Sequence, residues 1–236
     1  MYTVACALAI PVTLYMAYIM FRFERESLMV LTKAAAIASI FYFPFANISF
    51  LNHWIISTTA DIVMGIITSL GFPVQRITFD IMDLNGYTVQ IILACTAIQS
   101  MALFVGVVGC VRAPADRLFK AFIVSVPVIY LLNLVRDVFV ILAYGNQWFQ
   151  IMPDTVASMT GEPAGYTSFF WAHNVLAELG SVIALVIISY VVIQMLPETI
   201  TYLRDLFSLV QAKNVKTVLS GREIPAAAPL IRQKGR

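Results

Sequence analysis

Long apolar runs separated by short polar connections dominate this chain. Runs close to the roughly 20 residues that carry a helix across about 30 Å of hydrocarbon occur at 2–21, 28–46, 91–111, 118–143 and 168–196. A sixth, at 50–71, carries Asn52, His53, Asp61 and several Ser and Thr. It reads either as a spanning helix or as an amphipathic helix lying in the interface. The pattern predicts an all-α polytopic membrane protein, a bundle of about 5–7 transmembrane helices.

Between the runs the period changes. Residues 77–81 alternate apolar and polar, Asn85-Gly86 follows, and Tyr87, Val89 and Ile91 alternate again. Asn-Gly between alternating stretches is the strongest short hairpin signal, so a small β-hairpin is expected at about 75–91. Residues 144–166 mix Gly, Pro, Asp and Glu without a period and read as a loop. After Pro197, the residues Ile200, Leu203, Phe207 and Val210 recur at helical spacing while Arg204, Asp205, Gln211 and Lys213 take other faces. The domain reading is therefore a transmembrane catalytic unit over 1–197 and an amphipathic helix with a basic, disordered tail over 198–236.

Composition agrees, with 60% hydrophobic and 12% charged residues and a mean hydropathy of +0.85, far from a soluble domain. Nucleic acid is not an expected partner. The 15 basic and 13 acidic residues are segregated. Arg112, Arg117 and Lys120 cluster in one short connection, and the region after Pro197 holds seven Lys and Arg against three Asp and Glu. Positive charge marks the cytoplasmic side, which puts that connection and the C-terminus inside. The start, Met1-Tyr2-Thr3-Val4-Ala5, lacks the basic region of a signal peptide, so the first run is expected to stay attached. Three scattered cysteines suggest neither a disulfide framework nor a metal cage.

With that orientation, helix rise locates the reactive side chains. Cys95 precedes Arg112 by about 26 Å of helix and Arg136 follows Lys120 by about 24 Å, while His173 precedes Pro197 by about 36 Å. All three fall toward the extracytoplasmic face. A cysteine at a helix start gains from unpaired N–H groups, histidine is the usual general base or acid, and arginine can hold an oxyanion in a poorly hydrated site. Each also has a plainer reading. Cys95 alone is a small buried hydrophobe, Arg136 an ion-pair partner for a neighbouring helix or Asp137, and His173 part of an aromatic belt. Cys6 and Cys110 are assigned to packing, and His53 to the surface. Shared depth singles out the trio. Gln99, one turn from Cys95 on a helix, and Asn133, one turn before Arg136, can face the same cleft. Thr96 and Asn174 are supporting candidates, and Asp137 and Asn174 are turned about 100° from their catalytic neighbours.

These motifs resemble the exosortase/archaeosortase family, and within it the archaeosortase A type. The resemblance is carried by Gly71-Phe72-Pro73-Val74, Ala94-Cys95-Thr96-Ala97-Ile98-Gln99-Ser100, Asn133-Leu134-Val135-Arg136-Asp137-Val138-Phe139, Ala143-Tyr144-Gly145, Gln147-Trp148-Phe149 and Ala172-His173-Asn174-Val175. They run in the family's order over roughly residues 50–196. The family's nucleophile maps to Cys95, its arginine to Arg136 and its third polar residue to His173. This chain departs at Ala97, where the family commonly has Gly.

The resemblance implies a sortase-like cysteine protease and transpeptidase in the cell membrane. It would cleave the C-terminal sorting signal of exported surface proteins, made of a short motif, typically Pro-Gly-Phe, a transmembrane helix and a basic tail. A thioester intermediate and a membrane lipid as acyl acceptor are implied; no metal or other cofactor is. The alternative class is a transporter or scaffold using Arg136, Asp137 and His173 as a polar path. A transporter, however, typically binds at the midplane and often shows inverted repeats, and none is visible here. Gly-x-Ser-x-Gly and His-Glu-x-x-His motifs are also missing from the sequence.

Overall fold

The computed structural model describes residues 26–211 and, ahead of them, Tyr18. Apart from Tyr18, the expected span at 2–21 lies outside the described residues, as does the basic tail. Helix α1 is Glu26–Asn47 and α2 is Ser49–Ser69. A three-stranded antiparallel sheet follows, with β1 Gln75–Arg76, β2 Ile81–Leu84 and β3 Tyr87–Gln90 in that order. Then come a 3-10 turn at Leu93–Thr96, α3 Ile98–Cys110, α4 Ala115–Gly145 and α5 Pro153–Thr160. A single turn at Thr167–Phe169 leads into a π-helix at Phe170–Ala177, α6 Glu178–Met195 and α7 Glu198–Val210.

Among the described residues, four segments are long and apolar enough to cross a bilayer: Glu26–Asn47, Ser49–Ser69, Ala115–Gly145 and Ala164–Met195. The run at 50–71 is thus a continuous 21-residue helix whose inward face, including Ala60, Val63 and Ile67, is fully buried. Ile40, Phe43, Phe50, Phe119, Val135 and Val186 stay exposed on the bundle exterior, as lipid-facing residues do. With no hydrophobic force between helices in lipid, close contact comes from small residues. At Gly106 of α3 an added Cβ would run into the backbone carbonyl of Ala34 in α1.

The run at 91–111 is not one spanning helix. Ala97 adopts φ 57° and ψ 8°, so the α-helix begins only at Ile98 and covers 13 residues, about 20 Å. The residues before it fold into the turn that carries Cys95.

The hairpin forms as expected about Asn85-Gly86, both at positive φ (57° and 84°), as a two-residue primed turn requires. The alternating stretch before it is not all strand. Residues 77–80 are bends, tied by Arg76 to the carbonyls of Thr78 and Phe79, and the short strand β1 pairs with β2 ahead of them. The sheet docks on the end of α4: Leu84 is fully buried against Gly145, and Nδ2 of Asn85 donates to the Gly145 carbonyl at 3.1 Å. The loop at 144–166 contains a helix, α5, which the aperiodic sequence did not suggest.

At the opposite end of the bundle, Arg117 pairs with Glu198 at 2.6 Å and Ser27 hydrogen-bonds Asp205. Helix α7 therefore packs through Asp205 and Leu209, both buried, and leaves Phe207 71% exposed and Leu203 outward. Asp205, which helical spacing sets on a face other than that of Ile200, Leu203, Phe207 and Val210, is buried by its bond to Ser27.

Candidate active site

Four elements meet where the sheet docks on α4: the Leu93–Thr96 turn, the second half of α4, the Thr167–Phe169 turn and the π-helix. Strand β3 leads directly into the cysteine turn. That turn is closed by the Cys95 N–H on the Ile92 carbonyl at 2.8 Å and by the buried Thr96 hydroxyl on the Leu93 carbonyl at 2.7 Å. Cys95 is thus not at an α-helix start with free N–H groups, because its own is used within the turn. Thr96 acts as the turn's fastener.

Helix α4 supplies Asn133, Arg136 and Asp137. Asn133 Nδ2 donates to the backbone carbonyl of Cys95 and, at 3.1 Å, to Oδ2 of Asp137. Arg136 Nη1 donates to Oδ1 of Asp137 at 3.3 Å, with Asp137 only 6% exposed. Arg136 Nη2 lies 3.2 Å from Nε2 of His173. Asp137 also lines the same small pouch as Cys95. The ion-pair reading of Arg136 and its reach to His173 are therefore both realised, by different nitrogens of one guanidinium.

His173 and Asn174 sit in the π-helix, a widened turn often found at functional sites. Nδ1 of His173 is 2.8 Å from Oδ1 of Asn174, and Phe169 stacks on the imidazole with centroids 4.9 Å apart and planes within 10°. Sequence spacing had counted this segment as ordinary helix, with Asn174 facing away.

The residues border two spaces. A lateral cleft of about 790 Å³ is lined by Ala97, Gln99, Asn133, Arg136, His173 and Glu178, among others, and runs between α3, α4 and α6. A pouch of about 40 Å³, room for about one water, is lined by Cys95, Asp137, His173 and Phe169. His173 borders both, so it stands between the cleft and the thiol. Gln99 reaches the cleft but also donates to the Tyr42 hydroxyl at 3.4 Å, and the Ala97 break removes it from a helix shared with Cys95.

The structure thus brings together Cys95, Arg136, His173, Asn133 and Asn174. Cys110 lies at the other end of α3, bonded to the Val107 carbonyl, and His53 is exposed and stacks on Phe79. Sequence reasoning underrated Asp137. A 100° offset along the helix matters little when the neighbouring arginine is long enough to curl back. It also passed over Glu178, whose signal was an acidic residue inside an apolar run.

A family model described as transmembrane exosortase, of the EpsH type, matches residues 2–161. An archaeosortase A of Haloferax volcanii is 30% identical over 222 residues, covering 86% of this chain and 73% of its own length. An archaeosortase A of Natronomonas pharaonis is 29% identical over 225 residues, covering 88% and 70%. No solved structure matches.

Proposed function

We propose, from the premise that this chain belongs to the transmembrane exosortase family, that it is a cysteine transpeptidase cutting the C-terminal sorting signal of exported surface proteins. The observation that carries the reading is the Arg136–His173 pair at 3.2 Å beside the pouch of Cys95. It unites the three residue types that acyl transfer needs. Gathering these groups at one end of the bundle also favours an enzyme over a transporter, which holds its ligand near the midplane.

As Arg136 Nη2 turns from His173 Nε2 to the substrate, that ring nitrogen is freed and takes the thiol proton while Cys95 Sγ attacks the carbonyl carbon of the scissile amide. Arg136 donates to the oxyanion that develops on the carbonyl oxygen. Collapse of the tetrahedral intermediate breaks the C–N bond. The leaving amine, attached to the signal's membrane helix, takes the proton from His173. The resulting thioester is resolved by a nucleophile of the acceptor, which gives its proton to His173 as it displaces the Cys95 thiolate. A membrane lipid suits the acceptor role, because the cleft is lined beside Arg136 by Leu132, Val135 and Leu176, apolar side chains exposed on the bundle exterior. Charge segregation supports an extracytoplasmic site and a cytoplasmic C-terminus. A signal helix lying beside the cleft would present the bond just outside its own span, at the level of the cysteine turn.

The test is co-expression of wild type and Cys95→Ala with a reporter ending in Pro-Gly-Phe, a membrane helix and a basic tail, followed by mass spectrometry of its C-terminus. A defined cut that disappears with Cys95→Ala is expected, with added mass revealing the acceptor. Equal cutting by both proteins would overturn the reading.

A further inference from the structure

Asp137 lies at the junction of the arginine and the cysteine turn. Each of its carboxylate oxygens is committed to a different donor: Oδ1 to Arg136 Nη1 at 3.3 Å and Oδ2 to Asn133 Nδ2 at 3.1 Å. The same Asn133 nitrogen gives its other proton to the Cys95 carbonyl, so both of its N–H bonds are used. A guanidinium on a flexible stem has several rotamers to choose from, and the buried carboxylate selects the one that leaves Nη2 toward His173. From this geometry we infer that Asp137 is a positioning residue, setting Arg136 and, through Asn133, the turn of Cys95 in one register. The inference rests on reading Cys95 as the nucleophile.

The arrangement carries an opposing effect that makes it testable. A negative charge beside a thiol disfavours the thiolate, so a group present only to activate Cys95 would not be an acid. Asp137 works against ionisation while it fixes geometry. Replacing it with the isosteric amide separates the two: the thiol ionises more readily, yet turnover falls.

The experiment uses the full-length protein in liposomes, with kcat and KM on the reporter and iodoacetamide alkylation of Cys95 followed against pH by mass spectrometry. Asp137→Asn should lower kcat roughly 10- to 100-fold, the scale of a misplaced catalytic group, with KM near wild type. Its alkylation profile should move to lower pH with the same limiting rate at high pH. An unchanged kcat, or a lowered kcat with an unmoved alkylation profile, would overturn the inference. Asn133→Ala removes the linker without removing charge. It should lower kcat while leaving the alkylation profile in place, and if Asp137→Asn does not fold, wild-type kcat in Asn133→Ala overturns the proposal by itself. Alkylation requires no substrate, so the outcome is distinct from failure of the nucleophile reading, which full processing by Cys95→Ala would show.

Discussion

Nη2 of Arg136 lies 3.2 Å from Nε2 of His173, and because a guanidinium only donates, that imidazole nitrogen must be the acceptor. The remaining ring proton then sits on Nδ1, 2.8 Å from Oδ1 of Asn174. Two flanking residues thus select one neutral tautomer, with the basic nitrogen turned toward Arg136. Removing the Asn174 acceptor leaves the tautomer and the orientation of the ring held by Arg136 from one side only. Asn174→Ala is expected to lower kcat at least about tenfold, short of the roughly 10⁴-fold that a wrong tautomer costs a serine-protease triad. Because Asn174 is exposed, the melting temperature should hold. Steady-state kinetics beside a thermal melt checks both, and wild-type kcat would mean the Nδ1 partner is dispensable.

Arg136 serves Asp137 through one nitrogen and His173 through another, a division that a single ammonium cannot reproduce. Arg136→Lys should therefore lose roughly 100-fold or more in kcat, the loss seen when an oxyanion donor is removed. Cys95 should still be alkylated, since the turn that holds it is closed by Ile92 and Leu93. Near-normal reporter cleavage by Arg136→Lys would reduce the arginine's contribution to bare charge.

Ala97 holds a left-handed conformation, φ 57° and ψ 8°, which costs a residue with a Cβ about 1–2 kcal/mol. Glycine relieves that strain and gives back roughly half of it as lost chain entropy. Ala97→Gly is expected to stabilise the protein by up to about 1 kcal/mol while keeping full processing activity. A thermal melt in detergent, paired with reporter cleavage, decides it. A lower melting temperature would mean that the methyl packs more than it strains.

Much of this was legible in the chain. Apolar runs marked the helices, Asn85-Gly86 marked the turn, and shared depth brought Cys95, Arg136 and His173 together. What escaped has physical reasons. Alanine is the best helix former, so nothing local announces that Ala97 ends one turn and opens a helix. A π-helix at Phe170–Ala177 keeps the same apolar residues as an α-helix and is set by tertiary packing. Asp137 was discounted by helical angle, which ignores the reach of its neighbour. Asp205 finds its partner Ser27 at a sequence separation of 178 residues, a distance over which periodicity carries no information.

At the opposite end, Glu198 is partly buried, which by itself raises its carboxyl pKa, but the Arg117 hydrogen bond and its own backbone outweigh that and hold it below the ordinary 4.5. A depressed folded value contributes stability above the unfolded pKa that is lost as pH falls through the folded one. Glu198→Gln should thus lower stability slightly at pH 7, by no more than about 1 kcal/mol for a partly exposed pair, read as a small drop in melting temperature. The difference should close as pH drops below 4.5. Melting curves of both proteins across that range test it, and a gap that persists in acid would assign the loss to packing.

The hairpin's position and the cysteine's position are one problem, because β3 ends at Gln90 and the cysteine turn begins at Leu93. Leu84, fully buried, fills the space at Gly145 where any other residue would have its Cβ: that atom would sit 2.6 Å from Leu84 Cδ2. A methyl there pushes Leu84 off the end of α4, and overpacking of this kind typically costs about 1–3 kcal/mol. The displacement passes along β2 and β3 to Ile91 and Cys95, which line the same pouch. Gly145→Ala is therefore expected to lower kcat about tenfold or more with the spanning helices intact. Limited proteolysis should cut near Asn85-Gly86 faster than in wild type. A control at Gly161, whose added Cβ meets nothing within 4 Å, separates docking from loop strain: Gly161→Ala should leave kcat unchanged despite its positive φ of 75°. If Gly145→Ala cleaves the reporter at the wild-type rate and resists protease equally, the sheet does not set the position of the thiol.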